Sequence, residues 1–149
     1  MSFVKVLVHA VWATKNRQPV MINGKREVLQ KHIWQYALSK KVVINCIGGY
    51  HEHLHCLFSL NVDQSVAEVL KLIKGESSFW ANKQGLFEAK FQWGQEFFAA
   101  SVSESALEKV RGYILNQEVH HQQITFEQEF GRFKKSYGFT VNPLKQAGY

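Results

Sequence analysis

Hydrophobic and polar positions along the chain divide it into segments with two different periods. Four segments are rich in β-branched and aromatic residues and predict strands, at 3–13, 42–47, 53–60 and 97–102. The second of these ends at Gly48-Gly49 and the third begins at His53, so the pair predicts an antiparallel hairpin joined near residues 50–52.

The intervening segments have helical spacing of apolar residues. Residues 24–39 and 65 to about 80 each place apolar side chains on one face, and Gly75 is a weak point inside the second helix. Two later helices follow the fourth strand. Ser103 or Ser105 can cap the first of them, and Ser105 with Glu108 has capping-box spacing. Thr125 with Gln128 has the same spacing and begins a final helix that ends before Gly138.

The resulting order is β-α-β-β-α-β-α-α, which predicts an α+β, ferredoxin-like fold of the kind also found in RNA-recognition domains. The sheet should be antiparallel with helices packed on one face, leaving the other face available for a substrate or a second subunit. No linker or repeat interrupts the pattern, so residues 1–149 are expected to form a single domain. The break at residues 82–94 is a candidate mobile loop.

Composition narrows the class of protein. The chain has 149 residues, of which 46% are hydrophobic and 20% charged, as in an ordinary globular domain that buries its own core. Its net charge of +6 favours an anionic partner such as nucleic acid. Cys46 and Cys56 fall in predicted core strands and fit a reducing cytoplasm. No signal peptide or membrane-spanning run is apparent, so we expect a cytoplasmic protein with no membrane association.

Two short motifs carry candidate chemistry. His53 and His55 are separated by one residue in a predicted strand and therefore point to the same side of the sheet. Tyr113 and Gln117 are four residues apart and lie on one face of a predicted helix. If that helix packs over that strand, a cation held by His53, His55 and Gln117 would lie beside the Tyr113 hydroxyl, a layout for cutting a phosphodiester.

Simpler interpretations exist for each residue. A His-x-His pair is more often structural or exposed than metal-binding, and Tyr113 and Gln117 taken singly could be ordinary helical residues. His51 is expected to be a bystander or outer-shell group. His120 and His121 could contact DNA, accept protons or lie at a solvated helix end. The same choice between phosphate contact and a solvated face applies to Lys71, Lys74, Arg111, Lys134 and Lys135, while most aromatic residues are expected in the core and one or two could stack on bases.

The ordered set of motifs resembles the single-tyrosine HUH transposases of the smallest bacterial insertion sequences. The resemblance rests on segments 11–15, 53–55, 71–78, 93–94 and 113–117 together with His120-His121. It implies a homodimeric endonuclease and strand transferase acting on single-stranded DNA at the hairpin ends of a mobile element. By position, Tyr113 matches the nucleophile, and His53, His55 and Gln117 match the ligands of Mg²⁺ or Mn²⁺. Ligand softness alone would favour Zn²⁺, Co²⁺ or Ni²⁺ for two histidines.

The resemblance has further implications, and alternative functions are compatible with the same residues. In that family the tyrosine helix of one subunit can complete the metal site of the other. Glu52 stands where the family often has Asp, at a position that is not a ligand. One alternative function is a non-catalytic single-stranded nucleic-acid-binding domain that uses the open sheet face. Another is a nickase of the replication type or a domesticated relative.

Overall fold

The computed structural model describes residues 2–136, and its centre is a four-stranded antiparallel sheet. The strands lie in the order β2-β3-β1-β4. This order confirms the ferredoxin-like prediction, since two β-α-β halves interleave so that β1 and β3 are the inner strands. The strands are β1 (Leu7–Thr14), β2 (Val43–Gly49), β3 (His53–Ser59) and β4 (Trp93–Val102).

Strand β4 begins four residues earlier than its apolar pattern predicts. Trp93 pairs with Thr14, and the register shifts between Trp12 and Thr14. Gly94 interrupts the sequence pattern there, so the added pairing depends on β1 rather than on local propensity.

Within residues 2–136, five helices accompany the sheet, together with short 3-10 turns at residues 15–17 and 104–106. Ser65 caps the second helix by accepting a hydrogen bond from the Glu68 backbone N–H. The helices are α1 (Lys25–Ser39), α2 (Val66–Gln84), α3 (Leu107–Leu115), α4 (Gln117–His121) and α5 (Phe126–Ser136).

The two predicted capping boxes have different outcomes. At α5, Thr125 and Gln128 exchange side-chain to backbone hydrogen bonds of 2.9 and 3.1 Å, which confirms the prediction. At α3 the prediction is wrong, because Ser105 lies inside the 3-10 turn and Ala106 occupies the capping position without a side-chain bond. The end of α5 before Gly138 falls outside the described residues.

Strand alternation separates the core into two layers. On one face, α1 and α2 bury the larger cluster, which includes Trp12, Leu54 and Phe58 of the sheet. The opposite face was expected to be open, but α3 covers part of it through Ile114, which packs with Leu7, Cys46, Leu57 and Val102. This coverage brings α3 over the strand that carries the two histidines.

The chain separates into two compact units at Glu118 and Val119. The first contains the sheet and α1 to α3, and the described part of the second contains α5. The expectation of a single domain stays a prediction. Among the described residues, none of the helices is long and apolar enough to cross a bilayer.

Candidate active site

Strand β3 presents His53 and His55 side by side beneath α3. In the β1 pairing they lie opposite Ala13 and Val11, on the same face as the cluster around Ile114. Their ring centroids are 5.0 Å apart, and both side chains are fully buried. Both histidine side chains thus point to the same side of the sheet, as predicted from their spacing.

Helix α3 brings Tyr113 against this pair. The Tyr113 ring meets the His55 ring edge-on, with centroids 5.7 Å apart. Tyr113 is half-buried, so its ring is not fully enclosed in the core.

Gln117 completes the group, although the helix is interrupted before it. Helix α3 ends at Leu115, Asn116 follows as its C-cap, and Gln117 begins the short α4. The Gln117 amide nevertheless donates to the Tyr113 backbone carbonyl at 3.2 Å, and its Oε1 lies 3.1 Å from His53 Nε2. The four residues singled out in the sequence therefore meet within one chain.

Two contacts explain how α3 lies so close to the sheet. Gly48 on β2 faces the helix, and a Cβ placed there would lie 2.2 Å from the Ile114 carbonyl oxygen. Only a glycine permits this approach without a backbone shift. Arg111, a candidate phosphate contact from sequence, instead donates to the backbone and side-chain oxygens of Asn45 at 3.0 and 2.8 Å.

Each histidine has a second partner at its other ring nitrogen. The Nδ1–H of His53 donates to Glu52 Oε1 at 2.6 Å, and His55 Nδ1 is hydrogen-bonded to His9 Nε2 at 2.8 Å. A histidine held at Nδ1 in this way coordinates a metal through Nε2. The sequence interpretation noted Glu52 only as a non-ligand and missed His9, whose signal was a polar residue within an apolar strand.

The hairpin turn before His53 is held by the segment that follows β1. Thr14 N–H donates to the Glu52 carbonyl at 2.8 Å, and Met21 N–H donates to the His51 carbonyl at 2.9 Å. The His51 ring stacks on Tyr50 with centroids 3.9 Å apart. His51 thus packs within the turn, and its expected role as a bystander or outer-shell group stays a prediction.

The atoms that His53 and Gln117 turn toward each other fit the ligands of a divalent cation. Because Glu52 accepts from His53 Nδ1, a neutral His53 offers a lone pair at Nε2, and the atom facing it, Gln117 Oε1, is also an acceptor. Two acceptors in contact require a proton or a cation between them. Two donor atoms that each lie about 2.1 Å from one octahedral ion are about 3.0 Å apart, close to the observed 3.1 Å.

The sequence profile of IS200-like transposases matches residues 2–117. The chain belongs to the IS200-like transposase family. Family membership confirms the resemblance inferred from the motifs and identifies the protein as a transposase, an enzyme class that cleaves and transfers DNA strands. A search of curated proteins finds no significant match.

Solved structures with the same fold include two transposases. One is a crystal structure of a candidate transposase from Deinococcus radiodurans R1, with a TM-score of 0.61 and 21% identity over 78% of this chain and 93% of that one. The other is a REP-associated tyrosine transposase bound to a REP hairpin, with a TM-score of 0.61 and 18% identity over 89% of this chain and 84% of that one. At these identities the likeness establishes the fold.

In the second unit of the transposase, His120 and His121 share one carboxylate. Each Nε2 lies 3.0 Å from Oε2 of Glu129, and His121 Nδ1 is also 3.0 Å from the Ile124 carbonyl. The three side chains form a second group whose spacing would suit a metal ion. These contacts do not describe a solvated helix end, whereas the possible roles of the two histidines in DNA contact or proton transfer stay predictions. Glu129 gave no signal in the sequence.

A basic cleft of about 460 Å³ lies between the loop after β1 and the segment before β4. Its lining includes Lys15, Lys25 and Lys90 together with Phe87 and Phe91.

Of the lysines singled out in the sequence, Lys74 donates to the Gln95 carbonyl at 3.3 Å, and burial lowers its pKa. Phe79 and Trp34 are exposed aromatic side chains on α2 and α1.

Proposed function

We propose that this transposase cleaves and rejoins single-stranded DNA at insertion-sequence ends through a covalent phosphotyrosine at Tyr113. His53, His55 and Gln117 would hold the Mg²⁺ or Mn²⁺ ion that the reaction uses. The observation that carries the proposal is the meeting of these residues, with Gln117 Oε1 at 3.1 Å from His53 Nε2 and the Tyr113 ring against His55.

The chemistry follows from the choice of a phenol as nucleophile. The Tyr113 oxygen attacks the scissile phosphorus, the P–O3′ bond breaks, and the leaving 3′ oxygen takes up a proton while the phenol loses one. The product is a 5′-phosphotyrosine with a free 3′ hydroxyl. A later attack by another 3′ hydroxyl reverses the same exchange and releases Tyr113, so the strand is rejoined without an external energy source.

The residues around the tyrosine have distinct roles in this step. A tyrosine phenol has an ordinary pKa of about 10 and needs stabilisation of its oxyanion at neutral pH. A bound divalent cation would supply that stabilisation and polarise the scissile phosphate. The two imidazoles and the amide oxygen are neutral, so they leave the full positive charge of an ion to phosphate oxygens. Arg111 and Gly48 hold α3 against the sheet and thereby position the nucleophile.

Several features support single-stranded DNA as the substrate. The chain has a net charge of +6, and three lysines line the cleft beside the loop after β1. Lysines provide phosphate contacts, and the exposed rings of Phe79 and Trp34 offer stacking surfaces for unpaired bases. The REP-associated neighbour was solved with a hairpin bound, which favours hairpin ends as the element recognised here.

The nucleophile is tested with end-derived single-stranded hairpin DNA and Mg²⁺. The parent protein is expected to form a covalent adduct that survives denaturing electrophoresis, and Tyr113→Phe should form none while it still binds the DNA. His53→Ala and His55→Ala should abolish cleavage with a smaller effect on binding. An equal amount of adduct from Tyr113→Phe would contradict the mechanism. Binding by the parent with no adduct would support the alternative, a non-catalytic DNA-binding domain.

The site is proposed to work in cis. Tyr113 and Gln117 lie beside His53 and His55 of the same chain, so one chain contains the whole group. The homodimer expected from the family resemblance would then serve to hold two DNA ends rather than to complete each site.

A further inference from the structure

We propose that His9 is a positioning residue that orients His55 for metal binding. The inference rests on the proposed function, because it assigns a role toward the metal that His53, His55 and Gln117 would hold. His9 lies on β1, and its Nε2 is 2.8 Å from His55 Nδ1. Both side chains are buried, so this bond is shielded from competition with water.

The position of His9 is fixed from several directions. It stands opposite Leu57 in the β1–β3 pairing, one diagonal step from His55 on the same face of the sheet. The His9 and His55 rings stack with centroids 5.1 Å apart, and the Phe98 ring packs edge-on against His9 at 6.4 Å. These contacts leave His9 little freedom to turn away from His55.

The chemistry explains why a histidine is used there. When His55 coordinates through Nε2, its Nδ1 carries the proton and donates to His9 Nε2, which must then be the unprotonated nitrogen of His9. The bond selects the tautomer and the ring angle of the ligand. Glu52 performs the same task for His53, so each ligand has its own partner at Nδ1.

The two partners differ in charge, and this difference suits a phosphate-binding metal. A carboxylate beside each ligand would place two negative charges near the ion. His9 supplies the orientation without the second negative charge. The attraction between the cation and a DNA phosphate is therefore stronger than it would be with a carboxylate in place of His9.

The test compares Mn²⁺ affinity among purified variants, measured from the loss of the free-ion signal by electron paramagnetic resonance. His9→Leu removes the acceptor and is expected to weaken Mn²⁺ binding about 10- to 100-fold, the usual range for losing such a partner. His9→Gln, whose Oε1 can accept in place of Nε2, should recover most of that loss. Val8→Ala, a neighbouring core change on the other face of β1, should lower the melting temperature without changing Mn²⁺ affinity.

Three results would overturn the role of His9. They are a parent-like affinity in His9→Leu, an equal loss in Val8→Ala, and no recovery in His9→Gln. If instead the parent and His53→Ala bind Mn²⁺ equally, the proposed metal site itself fails, and that outcome is separate.

A second measurement needs no substitution. In long-range ¹H–¹⁵N spectra of the Mg²⁺-loaded parent, we expect His55 protonated at Nδ1 and His9 unprotonated at Nε2. A proton on His9 Nε2 would contradict the proposal.

Discussion

Replacing Gly48 by alanine tests whether the close approach of α3 to the sheet creates the active site. The added Cβ would lie 2.2 Å from the Ile114 carbonyl oxygen, whereas ordinary contact begins at 3.4 Å. Because the obstructing atom belongs to the backbone, no side-chain rotation relieves the clash. The helix and strand must therefore separate locally by up to about 1.2 Å, the difference between those two distances.

This displacement has two expected consequences. Overpacking of this kind costs about 1–3 kcal/mol of stability, which leaves most molecules folded if the total is about 5–15 kcal/mol. Ile114 is adjacent to Tyr113, so the proposed nucleophile would move with the helix. A misplacement of about 1 Å in a reacting group can reduce the rate about 100-fold. The His53–Gln117 separation of 3.1 Å would also increase beyond bonding distance.

The assay is single-turnover cleavage of hairpin DNA with saturating Mg²⁺, with urea unfolding measured on the same preparation. Gly75→Ala in α2 is the matched control, because nothing lies within 4 Å of its added Cβ. That change should stabilise the helix by about 0.5–1 kcal/mol and leave the cleavage rate unchanged. A Gly48→Ala protein that cleaves at the parent rate would refute the claim that this contact positions Tyr113.

Two further predictions follow from the same region. Mixing Tyr113→Phe with His53→Ala should not restore cleavage, because a site built within one chain stays incomplete in both; substantial recovered activity would indicate that the tyrosine acts in trans. Burial raises the pKa of Cys46 to about 11 from 9.0, despite the opposing effect of Arg111. The folded protein therefore keeps the thiol proton where the unfolded chain loses it, so the free energy of unfolding should fall between about pH 9 and 11. Measured by urea unfolding, Cys46→Ala should lose less stability than the parent over this range. An equal pH dependence in the two proteins would contradict the assignment.

Much of the site could be predicted because its signals are local. The parity of His53 and His55 follows from strand alternation, and the four-residue spacing of Tyr113 and Gln117 survives the helix break at Asn116. The fold order also followed from apolar periodicity, which the sheet order confirms. These features depend on residues close together in sequence.

Other features depend on long-range packing, so the sequence did not show which residues are partners. His9 stood out only as a polar residue in an apolar strand, and its partner His55 is 46 residues away; Arg111 and Asn45 are 66 apart. The cover that α3 places over the second sheet face depends on Gly48, whose importance shows only when Ile114 lies opposite it. Ser105 lost its predicted capping role because a 3-10 turn carries the chain from β4 into α3.

Residues within the two motifs determine which atoms of His53 and Gln117 face each other. Glu52 precedes His53 directly and accepts from its Nδ1, so a neutral His53 ring would offer a lone pair at Nε2. Tyr113 precedes Gln117 by four residues, and its carbonyl accepts from the Gln117 amide nitrogen, so the amide oxygen must face the other way. Each motif thus turns an acceptor toward the other across 3.1 Å. Because neither group can rotate without breaking its own bond, the two atoms are held face to face, as the proposed cation site requires.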